Sequence, residues 1–121
     1  MKIYLALPYS GMEEMSFEIA NKIAAKLMRE GHIVFSPISH SHPIAIKHNL
    51  PGNWEFWKEF GESFVDWAEQ IHVVCIHRHN GVAFNGANLI LKSKGVQGEI
   101  AKAQEQGKEI CSIHYHDDDY F

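Results

Sequence analysis

Toward the carboxyl-terminal end of the chain, Ser93-Lys94-Gly95-Val96-Gln97-Gly98-Glu99 places a hydroxyl, two glycines and a carboxylate at the start of a helical stretch. A helix amino terminus offers free N–H groups and the positive end of its dipole, and glycine lets a ligand approach the backbone. The segment therefore has the chemistry of a site for a phosphate or a sugar hydroxyl. Glu99 falls about one turn inside that helix, where the dipole favours the ionised carboxylate that a nucleophile or an ion-stabilising group needs. The same pattern also fits a glycine-rich loop whose glutamate only complements the dipole.

Other residues carry weaker chemistry. His40 and His42 flank Ser41 in a polar stretch, Ser39 to Pro43, read as a loop. A His-x-His pair can chelate a transition metal when a third ligand arrives from elsewhere, or can line a pocket as hydrogen-bond donors. The chain has nine histidines, including the pairs His77/His79 and His114/His116, and Asp117-Asp118-Asp119 follows the last of these. No spacing among them matches a named zinc motif, so pocket lining is the preferred reading of His40 and His42, and solvation that of the tail pair. Tyr9, after Pro8, is placed to stack on a nucleobase or to pack against a neighbouring surface. Trp54, Trp57, Phe60, Phe64 and Trp67 recur at helical spacing after Pro51-Gly52-Asn53, with Asn53 as a plausible N-cap. Most of that stripe is core. Part of it can cover a second subunit, since aromatic residues are favoured at interface centres.

The elements that must position these residues alternate. Ile3 to Leu7 is an apolar run ended by Pro8, suited to a strand buried on both faces. Ser10 and Glu13 form a possible capping box, and Ile19, Ala20, Ile23, Ala24, Leu27 and Met28 keep helical period until Gly31. Ile33 to Phe35 is a second strand, Ile71 to Ile76 a third and Glu109 to Ile113 a last one, with a helix over Val96 to Gln106. The stretch His77 to Lys92 carries Asn80-Gly81 and Asn85-Gly86 turn signals and reads as either a hairpin or an ordered loop. This alternation predicts an α/β fold: a small doubly wound parallel sheet of four to five strands with helices on both faces, in one domain over residues 1–121. With strand order 2-1-3-4, ligands bind at the reversal between strands one and three, where Pro8 to Gly11, the near end of Ser36 to Asn53, and His77 to Gly95 converge.

Composition narrows the function. The 121 residues hold 11 basic and 15 acidic side chains, a formal charge of -4, with no basic cluster to suit nucleic acid. No apolar run approaches the length of a membrane span. Cys75 and Cys111 each sit in an apolar run, where a thiol behaves as a small hydrophobe, and a reducing, cytoplasmic compartment is the simple reading.

Ile3-Tyr4-Leu5-Ala6-Leu7-Pro8 on the first strand, with Ser93-x-Gly95-Val96-x-x-Glu99 leading into Ala101-x-Ala103-x-x-x-Gly107-Lys108, resembles the nucleoside 2-deoxyribosyltransferase superfamily. Within it, Ser36-Pro37-Ile38-Ser39-His40-Ser41-His42-Pro43 and Leu50-Pro51-Gly52-x-Trp54-x-Phe56-Trp57 are similar to small uncharacterised phage and bacterial proteins of the DUF1937 kind. The resemblance spans almost the whole chain and is weakest over His77 to Lys92. It implies a flavodoxin-like or Rossmann-like fold and a homodimer or higher homo-oligomer. It gives Glu99 the role of catalytic glutamate, Tyr4 that of orienting its carboxylate, and Ser93 with Gly95 that of holding the 5' side of the sugar. One departure stands out: where the family usually carries an aspartate, this chain has Gly61, with Glu62 adjacent and Asp66 about one turn further on.

Two functions follow as expectations. The first is an enzyme cleaving or transferring the N-glycosidic bond of a nucleoside or nucleoside 5'-monophosphate, with Glu99, Tyr4 and Asp66 as its catalytic residues. Pro8, Tyr9, Ser10, His40, His42, Asn53, Trp54, Ser93 and Gly95 would bind the substrate, and neither a metal nor an organic cofactor is needed. The second is a non-catalytic protein that captures a nucleotide or an ADP-ribose-like ligand. They part at Gly61 to Asp66: a carboxylate from that segment facing Glu99 favours chemistry, and apolar groups alone favour binding.

Overall fold

The computed structural model describes residues 1–120. Its elements are β1 (Lys2–Ala6), α1 (Glu13–Arg29), β2 (Ile33–Phe35), α2 (Pro37–His48), α3 (Trp54–Trp67), β3 (Gln70–His79), β4 (Val82–Ala83), α4 (Gly86–Lys92), α5 (Lys94–Glu105) and β5 (Glu109–His116), followed by a 3-10 turn over Asp117–Asp119. Strands β2, β1, β3 and β5 lie side by side and all parallel; Tyr4 pairs with Phe35 on one side and Ile71 on the other, and Ile71 with Ile110. β4 is a short antiparallel addition at the far end of β3. The α/β architecture is the expected one, and strand order reverses between β1 and β3.

Side chains two apart on a strand point to the same face, and the two faces of this sheet build separate cores. Ile3 and Leu5 of β1, with Leu7 just past it, join Val74 and Ile76 of β3 against Ile19, Ile23 and Leu27 of α1. Tyr4, Ala6, Ile71 and Val73 face the other way, onto Val65 of α3 and Val96 and Ala103 of α5. Helices on both faces leave β1 and β3 without a wet side, which is why their sequence reads as continuous apolar runs.

Four local expectations are corrected. The Ser39 to Pro43 stretch is helix, not loop. Ser36 caps α2, its Oγ accepting the Ser39 N–H at 3.2 Å, and Pro37 follows where a missing N–H leaves no bond unmade. The helix absorbs Pro43 and ends at Asn49 in the left-handed conformation (φ 54°). Helix α1 starts after Met12, because Gly11 at φ 83° breaks the run; Ser10 is not its cap, although Glu13 does reach back to accept the Gly11 N–H at 2.7 Å. In His77 to Lys92, Asn80 and Gly81 both have positive φ and close a two-residue hairpin, as its right-handed strand twist requires. Asn85 instead caps α4, its Oδ1 accepting the Asn88 N–H at 3.1 Å. Finally, β5 runs on to His116, because Tyr115 is fully buried against the α1 face of the sheet.

Candidate functional site

At the carboxyl end of β1 a cleft of about 530 Å³ opens between α2, α3 and the α4–α5 junction. Its size is that of a small-molecule site. Its floor is Glu99, the one carboxylate buried among the described residues, at 7% exposure. Strand β1 turns Tyr4 onto this face, and the Tyr4 hydroxyl donates to Glu99 Oε2. Gly61 of α3 leaves room for the pair: a Cβ there would lie 3.3 Å from the Tyr4 oxygen and 3.7 Å from Glu99 Oε2.

The electrostatics differ from those expected. Glu99 lies in the second turn of α5, past the free N–H groups, and burial pushes its carboxyl up to about 8 against the pull of the Tyr4 hydrogen bond. Tyr4 itself is raised by its own burial and by the charge of Glu99. At neutral pH the carboxyl of the open cleft is therefore mostly protonated, whereas the helix dipole alone would have kept it ionised.

The glycines of the α5 head also serve another purpose. A Cβ at Gly98 would fall 2.4 Å from Trp54 Cζ2, and one at Gly95 would lie 3.7 Å from Trp54 Cε3. They form a notch for the indole of Trp54, which locks α3 onto α5. Ser93 is spent on capping α5, its Oγ accepting the Val96 N–H at 3.2 Å, and it also terminates α4. Lys92 and Lys94 on either side bring cationic groups to the cleft wall; Lys94 pairs loosely with Glu55 at 3.7 Å.

The opposite wall holds a hydrogen-bonded chain. Tyr9 Oη lies 2.6 Å from His42 Nδ1, and His42 Nε2 lies 3.1 Å from Glu14 Oε1. A neutral imidazole protonated on Nε2 satisfies both contacts, with the Tyr9 hydroxyl donating to Nδ1. Burial, with Glu13 and Glu14 nearby, raises the Tyr9 phenol. The ring of His42 is buried against Phe17 at 4.8 Å.

Of the residues anticipated from sequence, Tyr4, Pro8, Tyr9, Ser10, His42, Asn53, Trp54, Ser93, Gly95 and Glu99 all line the cleft. His40 does not. It is exposed, its ring stacked on Phe60 at 5.8 Å and its Nδ1 3.1 Å from Ser41 Oγ, because the helical turn through α2 sends His40 and His42 to different sides. Asp66 is also outside: five residues beyond Gly61 it points roughly 140° around α3, and it accepts a 2.7 Å hydrogen bond from Gln106 Nε2. Glu62 does not line the cleft either. The segment that was to supply a second carboxylate thus presents only Gly61 to Glu99. Sequence reading missed Ile38, Ser41 and Ala45 of α2, which share the buried helix face with His42, and Trp57 and Phe60 of α3 as walls. The spacing 38, 41, 42, 45 was the available signal once Ser36-Pro37 is taken as a helix start.

Among the described residues no helix is long and apolar enough to cross a membrane. No curated protein and no solved structure matches the chain. A model for a domain of unknown function, DUF1937, matches residues 1–114, nearly the full length from β1 into β5, and the chain belongs to that family.

Proposed function

We propose that the cleft binds a nucleoside or nucleoside 5'-monophosphate and that Glu99 acts on its anomeric carbon. The observation that carries this reading is a single buried carboxylate, oriented by Tyr4, at the floor of a ligand-sized and largely apolar cleft. The resemblance to the nucleoside 2-deoxyribosyltransferase superfamily supports it. In the reaction, an ionised Glu99 oxygen bonds to the anomeric carbon as the C–N glycosidic bond breaks and its electron pair leaves with the base. The departing base takes a proton from solvent; water or a second base then bonds to the anomeric carbon as its bond to the Glu99 oxygen breaks, and the attacking group gives its proton back to solvent. Tyr9, backed by His42 and Glu14, offers the base a hydrogen-bonding edge, and Lys92 and Lys94 suit a 5'-phosphate.

One observation favours a second reading, capture without turnover: Gly61 to Asp66 sets no carboxylate opposite Glu99. The second carboxylate of the cleft wall, Glu55, is exposed and paired with Lys94. Incubating wild type and Glu99→Gln with a panel of nucleosides and 5'-monophosphates, with free base read by chromatography, separates the two. Base release by wild type, reduced at least about a hundredfold in the variant, supports the enzyme. Saturable binding without release supports the binder, and neither release nor binding defeats both.

A further inference from the structure

Away from the cleft floor, a second group of reactive side chains gathers where β3 and β5 end. Cys75 Sγ, a ring nitrogen of His77 and one of His114 all lie within 4.8 Å of one another. Strand geometry makes the grouping: residues two apart on β3 share a face, and the parallel register sets His114 beside Cys75. The pairing slips between Ile76 and Arg78, and at that point His77 Nε2 and His114 Nδ1 face each other at 2.8 Å. His116 stacks on the His77 ring at 4.7 Å and 7°. The sequence pairs are thereby regrouped, since His79 turns to the other face, where it is buried and bonds the Tyr115 hydroxyl and Glu18. The group has a closed side and an open one. Cys75 is buried under Gly86, where a Cβ would come within 2.6 Å of the sulfur, whereas His114 is exposed.

We propose that Cys75, His77 and His114 form a three-ligand site for Zn²⁺, with its fourth position open to solvent. One thiolate and two imidazoles are a donor set that zinc favours. Tetrahedral bonds of about 2.0–2.3 Å put such donors roughly 3.3–3.6 Å apart, so the two imidazole nitrogens, now 2.8 Å apart, part by about half an ångström while the wider contacts, up to 4.8 Å, close. Binding releases the Cys75 thiol proton. The imidazole that donates across the 2.8 Å contact moves its proton to its other ring nitrogen, leaving both rings neutral. The ion would tie the end of the sheet's edge strand to its neighbour, and it stands independently of any reading of the cleft.

Co²⁺ tests this directly, because it occupies zinc sites and reports its ligands. The full chain, stripped with chelator, is titrated with Co²⁺ and then with Zn²⁺. Expected are a near-ultraviolet thiolate-to-cobalt charge-transfer band with tetrahedral d–d bands, all abolished by Zn²⁺. His114→Gln, a change at an exposed position, should weaken Co²⁺ affinity at least about tenfold with the circular dichroism unchanged. Cys75→Ser should remove the charge-transfer band with the circular dichroism unchanged; should that variant not fold, His114→Gln decides. Cys111→Ser, which removes the thiol on the opposite face, should keep the band. Absence of the band in wild type, cobalt uptake without thiolate character, a band that survives Cys75→Ser or is lost in Cys111→Ser, or undiminished affinity in His114→Gln would each overturn the site.

Discussion

Glu99 concentrates the tension of the molecule in one side chain. Folding moves its carboxyl from an ordinary 4.5 to about 8, so between those values the folded chain holds a proton that the unfolded chain has released. Stability therefore falls as pH rises from about 4.5 to about 8 and is level beyond. Glu99→Gln removes that loss: chemical denaturation at pH 8 should find the variant roughly 2–4 kcal/mol more stable than wild type, with the gap closing toward pH 4.5. If Glu99 is the nucleophile, kcat/KM should climb with pH, nearly tenfold per unit below about 8, and flatten above it. Tyr4 lowers the Glu99 value through its hydrogen bond, so Tyr4→Phe should shift this limb to higher pH as well as slow the reaction. A limb that stays put would mean that the Tyr4 hydroxyl does not set the carboxyl.

At the scale of elements, the site depends on how α3 meets α5. The indole of Trp54 sits where α5 has no side chain, at 2.4 Å from a hypothetical Gly98 Cβ, against 3.7 Å at Gly95. Gly98→Ala should destabilise the protein by about 1–3 kcal/mol and alter tryptophan fluorescence, whereas Gly95→Ala should be mild on both counts. These glycines had looked like backbone left bare for a ligand. Glycine in a sequence announces close approach, and at Gly98 the approaching group is Trp54, far away along the chain, so that only folding names it, while Gly95 stays on the cleft lining. Helix α2 is the opposite case. Ser36-Pro37 was a complete local start signal, overridden by the polar His40-Ser41-His42-Pro43 that follows, and the consequence was to miss Ile38, Ser41 and Ala45 as cleft lining and to place His40 beside His42. Ser36→Ala should cost about 1 kcal/mol and loosen that wall.

Over the whole molecule, the sheet was legible because its central strands are apolar on both faces and helices of amphipathic period separate one strand from the next; Ile3 to Leu7 and Ile71 to Ile76 needed no tertiary information. The position of the cleft followed from the strand order, β2, β1, β3, β5, with its reversal beside β1. Contacts between distant loops did not follow: the Tyr9–His42–Glu14 chain joins the end of β1, α2 and the first turn of α1, and no local pattern encodes it. A ligand held by walls from so many elements should stabilise all of them together. At a hundred times its Kd, a true ligand should add about 2.7 kcal/mol to the unfolding free energy, visible as a rise in Tm that an unrelated sugar phosphate does not give.

Ser93 ends one helix and begins the next without an intervening residue. Such a joint has no slack. A guest that draws Lys92 inward must turn the first residues of α5 in the same motion, and Glu99 rides on that helix little more than a turn away. On the proposed reading, recognition at the rim and the setting of the acid below would be mechanically a single event.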